Sequence, residues 1–425
     1  MMMNAERTIL HCDCNSFFAS VELLEHPELR DRPVAVAGDP EGRHGIILAK
    51  NMPAKKFGIQ TAETVWQAKR KCPELVLLPP HHEKYRDMSR RINAIYLDVT
   101  DQVEPFSVDE SWLDVTGSRT LFGDGKTIAD LLRRRVREET GVTISVGVSD
   151  NKTWAKMGSD YKKPDATTVI TRENVRELLY PLPVQDFLFV GQATAQTLAH
   201  MGVNTVGQLA ECTPEALTRL LGKQGEGLWR MVNGMDDSPV RCWGDVDAAK
   251  SIGRGETFPR DLVGYESCRA GLLPLCESVG AQLRRQGLKA RTVTLQIKNP
   301  QLKVISRQRT LEAPTSLTQT IYQVACGLLE TFWREDAPVR LMTVTASTLT
   351  QEGEETPMQL SFLEDVPADD PRRLRLESTI DRVRDRFGKA AVRRGGVVMP
   401  DVGEKNKADK NETRFTNLRV ERVLK

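Results

Sequence analysis

An acidic pair set inside an apolar run constrains this chain more than any other feature. Asp109 and Glu110 adjoin one another in Ser107-Val108-Asp109-Glu110-Ser111-Trp112-Leu113-Asp114, with Val103 and Phe106 before them and Val115 after. Two like charges at the edge of a buried strand are costly unless a cation or a base neutralises them. A third carboxylate, Asp13, ends another apolar strand, Thr8-Ile9-Leu10-His11-Cys12. If the two strands are neighbours, three acids converge at one sheet edge, close enough to share divalent ions. Hard oxygen ligands with room left for water suit Mg²⁺, and a two-metal centre stabilises both the attacking and the leaving oxygen of a phosphoryl transfer. An isolated Asp-Glu pair more often starts a turn; the apolar flanks favour a site.

At 425 residues the chain exceeds a single core, so two to four domains are expected. Its formal net charge of +2 does not announce a nucleic-acid partner. Between Lys250 and Thr350, however, 14 Lys/Arg stand against 8 Asp/Glu, a surplus that fits either phosphates or a solvated face. The eight cysteines are scattered, and Cys12/Cys14 is the one close pair. Zinc and a disulfide framework are both disfavoured, which points to a reduced, cytoplasmic setting. Neither a signal peptide nor an apolar stretch of membrane-spanning length is visible.

Residues 1 to about 172 mix strand-like runs (33–37, 45–49, 142–148, 167–170) with helical patterns (20–24, 64–71, 85–98, 128–140), as in a mixed α/β domain. Residues 173 to about 240 lack strand signals and carry short helical patterns broken by Gly191, Gly202, Gly222 and Gly234, which predicts a small all-helical module. Arg291–Lys298 and Arg340–Ala346 alternate with period two around a helical pattern at Ser316–Phe332, so a compact α+β domain with two strands is expected over 249–350. An acidic stretch follows, then a strongly charged helical pattern at Asp370–Phe387 and a polar end expected to be disordered.

Asp13-Cys14-Asn15-Ser16-Phe17-Phe18 together with Ser107–Asp114 resembles the two catalytic motifs of the Y-family (translesion) DNA polymerases, in particular the bacterial type. Further matches are Lys55-Lys56-Phe57-Gly58, Thr61-Ala62 and Trp66-Gln67-Ala68-Lys69. Others are Asn151–Lys156 with Lys162-Lys163-Pro164, and Lys250-Ser251-Ile252-Gly253 with Glu256-Thr257-Phe258. The likeness is collinear from residue 8 to about 350. It implies a multidomain α/β and α+β fold shaped like a right hand. The palm would comprise 1–15 and 83–172, small fingers 16–82, and a helical thumb with a helix-hairpin-helix 173–241. A linker at 242–248, an α+β little finger at 249–350 and a tail at 351–425 would complete it.

The resemblance also implies roles. Asp13, Asp109, Glu110 and the Cys14 carbonyl would hold two Mg²⁺ ions. Phe18 would be the steric gate that excludes a ribose 2′-hydroxyl. Phe17, Phe18, Lys55 and Lys163 would bind the dNTP; Gly191, Thr194, Lys250 and Arg254 would contact the primer-template DNA. Gln359, Leu360, Phe362 and Leu363 resemble the peptide by which bacterial polymerases dock on the sliding (beta) clamp. A monomer is expected. Four positions depart from the family. Asn15 stands where a second acid is frequent, and Met52 and Lys55 stand for a tyrosine and an arginine. Phe189 replaces one glycine of the hairpin pair.

Taken together these features predict a poorly processive, error-prone DNA polymerase of damage bypass. A scaffold that has lost its metal ligands is disfavoured by the three acids. A nucleotidyl cyclase would have no use for a hairpin module and a clamp peptide, and a glycosylase leaves the acids unexplained.

Overall fold

The computed structural model describes residues 7–39, 45–245, 247–351, 370–388 and 391–392, in two compact units divided between Val246 and Asp247. The clamp-like peptide 359–363 lies outside the described residues.

The first unit opens with β1 (Ile9–Cys14), α1 (Phe17–Glu25), β2 (Val34–Ala37) and β3 (Ile47–Lys50). Next come α2 (Met52–Lys56), α3 (Val65–Lys71), β4 (Val76–Leu78), α4 (His82–Leu97), β5 (Val103–Pro105) and β6 (Glu110–Asp114). After α5 (Arg119–Phe122) and α6 (Gly125–Thr140), β7 (Ile144–Ser149), α7 (Lys152–Tyr161) and β8 (Thr167–Val169) close the main sheet, whose order is β5-β6-β1-β7-β8. All six β1 residues are buried. A strand covered on both faces shows no polar alternation, which is why it reads as one apolar run. β1 is central, so its acid lies at a strand end and not on an edge strand.

One face of this sheet is packed by α4 and α6. In α4, Tyr85, Met88, Ile92, Ile95 and Tyr96 form the buried stripe of an amphipathic helix. α6 starts on an Asp124 side-chain cap and ends at Gly141 with φ 75°. Leu10, Cys12 and Cys14 join this core, whereas Ile9, Trp112 and Ala155 pack together separately. β2, β3 and β4 form a separate three-stranded sheet.

Residues 170–245 contain no strand, as their glycine-broken pattern predicts: α8 (Val175–Leu178), α9 (Gln192–Ala199), α10 (Val206–Glu211), α11 (Pro214–Leu221) and α12 (Lys223–Val232) share one apolar core.

The second unit holds β9 (Ser251–Leu262), α13 (Tyr265–Arg285), β10 (Leu288–Lys298), β11 (Val304–Thr315), α14 (Thr318–Phe332), β12 (Val339–Gln351) and α15 (Pro371–Phe387). Its sheet has four strands, in the order β11-β10-β12-β9, where two were expected. The two inner strands carry the period-two pattern. The missed ones are edges: β11 is exposed from Val304 through Thr310, and β9 contains Gly253, Gly255 and Pro259. Edge strands need no alternation, and proline is tolerated there. All eight cysteines are free, and no described helix is long and apolar enough to cross a membrane.

Candidate active site

β1 and β6 are antiparallel neighbours, with Asp13 directly opposite Glu110. Opposed residues point to the same face, and His11, two positions earlier, shares it. α7 covers this face. It can do so because Gly147 on β7 lacks a side chain: a Cβ there would stand 1.9 Å from the Ala155 carbonyl oxygen and 2.4 Å from the Ser159 amide nitrogen. Trp112 pins the start of the helix. Its Nε1–H donates to the Lys152 carbonyl at 3.0 Å, and the Lys152 ammonium lies 4.5 Å from the indole centroid.

Lys152, Lys156 and Asp160 recur every four residues, along one side of α7. The Lys156 ammonium is thereby held 2.9 Å from Asp13 Oδ2, 3.2 Å from Glu110 Oε2 and 3.1 Å from Asp160 Oδ2. Lys163, two residues past the helix, reaches Asp13 Oδ1 at 2.7 Å and Asp160 Oδ1 at 2.8 Å. His11 Nδ1 is hydrogen-bonded to Ser159 Oγ at 2.9 Å, while its Nε2 lies 3.4 Å from Glu110 Oε2.

Charge here is strongly coupled. Burial alone would raise the Glu110 carboxyl, but the His11 ring and the Lys156 ammonium overcome it and hold the group at about 2. Against the cost of burial, Asp13, Asp160 and Glu110 keep Lys156 protonated well above its ordinary range. Asp109 behaves oppositely. Burial, reinforced by the charges of Asp13 and Glu110 and only partly offset by the Ser107 hydroxyl, pushes it up to about 6. Three carboxylates, Asp13, Glu110 and Asp160, thus share two ammonium groups, and Asp109 adds further negative charge beside them.

The donor set fits a divalent cation. One atom each of His11, Asp13 and Glu110 lie within 4.8 Å of one another. Glu110 Oε2 is buried and accepts no well-aligned hydrogen bond, despite its ionic contact with Lys156. Asp109 stands just outside this group. Its main-chain oxygen accepts from the Cys14 amide at 3.0 Å, and its Oδ1 accepts from Ser107 Oγ at 2.7 Å. The structure therefore brings Asp13 and Glu110 together, with Asp109 beside Cys14 at the same strand ends.

The helix after Asp13 begins at Phe17, preceded by Ser16 at φ 50°. The two phenylalanines differ in environment. Phe17 is buried in the main core, whereas Phe18 is partly exposed and stacked on Tyr85 of α4, ring centroids 4.0 Å apart and planes within 11°. Lys55 is exposed on α2, and burial together with the Lys55 charge lowers the pKa of nearby Lys50. Gly191 caps α9 and Thr194 lies in its first turn. Lys250 and Arg254 belong to the second unit, Lys250 exposed before β9 and Arg254 on that strand opposite Val344.

The residues that sequence reasoning missed are His11, Lys156 and Asp160. The one available signal was on α7, where ionisable groups at four-residue spacing share a side with small residues.

Comparison with known proteins decides the family. Residues 12–160 match the impB/mucB/samB family, residues 249–362 its C-terminal domain, and residues 189–236 the thumb domain of DNA polymerase-iota. The chain is 48% identical over 401 residues to a DNA polymerase IV of Acetivibrio thermocellus, covering 94% of this chain and 99% of that one. A DNA polymerase IV of Moorella thermoacetica is 40% identical, over 92% and 96%. The chain belongs to the Y family of DNA polymerases. A solved Y-family polymerase chimera shares the fold at a TM-score of 0.69 and 22% identity, covering 80% of this chain and 98% of that one.

Within the Y family, the departure at Asn15 has a local explanation. Its Nδ2 donates to Ser145 Oγ at 2.9 Å, and its Oδ1 accepts from Thr143 Oγ1 at 3.0 Å and from the Asp165 amide at 2.9 Å. An amide supplies both the donor and the acceptor used here, which an ionised acid cannot. Through Asp165, itself held by Arg133 and Arg137, Asn15 steadies the turn that follows Lys163.

Proposed function

We propose that this chain is a template-directed DNA polymerase of the translesion type, extending a primer 3′-hydroxyl with dNTPs. The observation that carries the reading is the register that sets Asp13 against Glu110, beside Asp109 and under Lys156. Asp13, Asp109, Glu110 and the Cys14 carbonyl are the groups that would hold two Mg²⁺ ions. When bound, those ions neutralise the triphosphate and lower the pKa of the attacking hydroxyl.

The chain's own residues bind and sort the substrate. Lys163, on the rim of the carboxylates, is the cation for the triphosphate. The first amides of α1, at Phe17 and Phe18, have no partner within their helix and favour phosphate. Lys55 adds a point charge in place of a bidentate guanidinium. Phe18, backed by Tyr85, presents an aromatic face against which a 2′-hydroxyl finds no room.

The main sheet with α4–α7 serves as palm, 16–82 as fingers, 173–241 as thumb, 242–248 as linker and 249–350 as little finger. In the thumb, Gly191 and Thr194 open a helix toward a DNA phosphate; in the little finger, Lys250 and Arg254 add contacts that do not depend on sequence. Small fingers leave little protein to reject a misfit, which accounts for low fidelity. Gln359, Leu360, Phe362 and Leu363 serve as the clamp peptide, between strand β12 and helix α15, and the tether to the clamp offsets poor processivity. The enzyme works as a monomer in the bacterial cytoplasm.

Magnesium-dependent primer extension on plain and lesion-bearing templates, with and without clamp, tests the reading. Asp109→Ala and Glu110→Ala should each abolish extension and leave DNA binding largely intact. Full activity in either variant would refute the metal assignment. Alanine at Gln359, Leu360 and Phe362 should remove clamp stimulation alone.

A further inference from the structure

We propose that the outer face of α15 is an additional binding site for the phosphate backbone of duplex DNA, separate from the thumb and little-finger contacts assigned above. The inference rests on the polymerase reading for its choice of polyanion, and on the helix itself for the site.

α15 is fixed to the second unit by an ionic lock. The Arg284 guanidinium, at the end of α13, is almost fully buried and donates to Glu377 Oε2 at 2.6 Å, Asp381 Oδ2 at 2.7 Å and the Ser316 carbonyl at 2.7 Å. Glu377 also accepts from the Thr318 amide at the start of α14, at 2.8 Å. Arg285 pairs with Asp385, and Arg384 with Glu277 at 3.0 Å. All three acids within α15 are therefore spent on holding the helix down.

The opposite side has another composition. Arg372, Arg375, Thr379, Arg382 and Arg386 follow at spacings of three, four, three and four residues, which lines them up along a single face. All five are exposed. Among the described residues none of these four arginines has an ion-pair partner; Arg382 bonds Thr379 Oγ1 and Arg386 stacks on Phe387. The stripe runs for about 21 Å at 1.5 Å per residue.

Helix stability does not ask for this arrangement. Asp370 caps the N-terminus, accepting from the Arg372 amide at 2.9 Å, but the Arg372 guanidinium stands in the first turn, where the helix dipole disfavours a cation. A coiled-coil partner or a membrane surface needs a continuous apolar face; the stripe is four arginines and a threonine, and the only large apolar side chains that α15 exposes beside it are Leu376 and Phe387, eleven residues apart. Evenly spaced guanidinium groups without acids complement a row of phosphates, and Arg is suited to phosphate by its fork geometry.

The test changes Arg372, Arg375, Arg382 and Arg386 to Gln in the full chain, with the four Arg→Lys changes as a second variant. Binding of labelled primer-template is measured without nucleotide across a salt series, and extension is measured at saturating DNA. The Gln variant should bind at least tenfold more weakly near 0.15 M salt, and its log–log salt slope should be shallower by about 3.6 if all four arginines meet phosphates, since each neutralised phosphate contributes about 0.9. The Lys variant should keep the wild-type slope, and saturated extension should be unchanged in both. Equal affinity and slope for the Gln and wild-type chains would overturn the proposal, as would a loss confined to binding of the clamp or another protein. Failure of the wild-type chain to extend primers would instead sink the polymerase reading, and the salt series would still report on α15.

Discussion

Phe18 lies face to face with Tyr85, ring centroids 4.0 Å apart and 11° from parallel. Tyr85 is in turn tied to Glu22 by its hydroxyl, and Glu22 also accepts from His81 Nδ1 at 3.0 Å. The proposed gate therefore stands on a fixed support. Phe18→Ala should raise ribonucleotide incorporation by at least about tenfold, equivalent to about 1.4 kcal/mol of lost discrimination. Tyr85→Leu should give a smaller rise in the same direction, because Phe18 then leans without leaving, and Tyr85→Phe should keep the discrimination. The ratio of kcat/KM for dNTP over rNTP decides. Unchanged sugar selection in Phe18→Ala would discard the gate.

Lys156 occupies the position a cation would take between Asp13 and Glu110. Lys156→Met keeps most of the apolar stem and removes the ammonium, leaving buried Asp13, held by Lys163 alone, opposite the half-buried Glu110. Breaking a buried pair in this way costs about 3 kcal/mol or more, so the variant without divalent ions should melt well below wild type. Mg²⁺ or Ca²⁺ should restore more of the variant's stability than it adds to wild type, since binding only to the folded state stabilises by mass action. Thermal melts with and without the ion report this. An equal gain in both proteins would mean that the ammonium and the metal do not compete.

The contrast between Asp13 and Lys156 shows what could be read from the chain. Asp13, Asp109 and Glu110 were legible because carboxylates in apolar runs are chemically out of place. Lys156 and His11 were not, because their role depends on where α7 crosses the sheet. That crossing is set by the bare Cα of Gly147, a contact between residues far apart in sequence. In the second unit the inner strands announced themselves through alternation, while β9 and β11 carried no such signal at the sheet edges. The charged pattern of α15 predicted a helix but not which charges turn inward; that required Arg284.

Glu104 and Lys152 form a second buried pair, 2.7 Å apart, that joins β5 to the start of α7. Glu104 also accepts from the Arg241 amide at 2.9 Å. Burial alone would raise the Glu104 carboxyl; the Lys152 ammonium and the Arg241 amide outweigh it and hold the group below its ordinary range. A folded-state pKa below the unfolded value of about 4.3 contributes stability above that pH, and the contribution is lost as pH falls through the folded value. Glu104→Gln should therefore cost about 3 kcal/mol at pH 7, with the gap from wild type constant down to about pH 5 and closing below about pH 4. Urea unfolding of both proteins across that range measures it. A gap that persists undiminished in acid would show that packing, not charge, accounts for the loss.

Phe189 takes the hairpin position where the family has a second glycine, and it adopts the glycine conformation, φ 66°, with the residue 63% exposed. A side chain in the left-handed region costs about 1–2 kcal/mol. Glycine removes that strain but adds about 1 kcal/mol of unfolded-state entropy. Because the exposed ring gives up little burial, Phe189→Gly should leave stability equal or raise it by about 0.5 kcal/mol. Phe189→Val should lower stability, since a β-branched residue is least tolerated at positive φ. The hairpin amides leading into α9 keep their geometry in the glycine variant, so its DNA affinity should match wild type. Denaturation of the three proteins gives the ranking, and a valine variant as stable as the glycine one would show that the hairpin backbone is not strained at this residue.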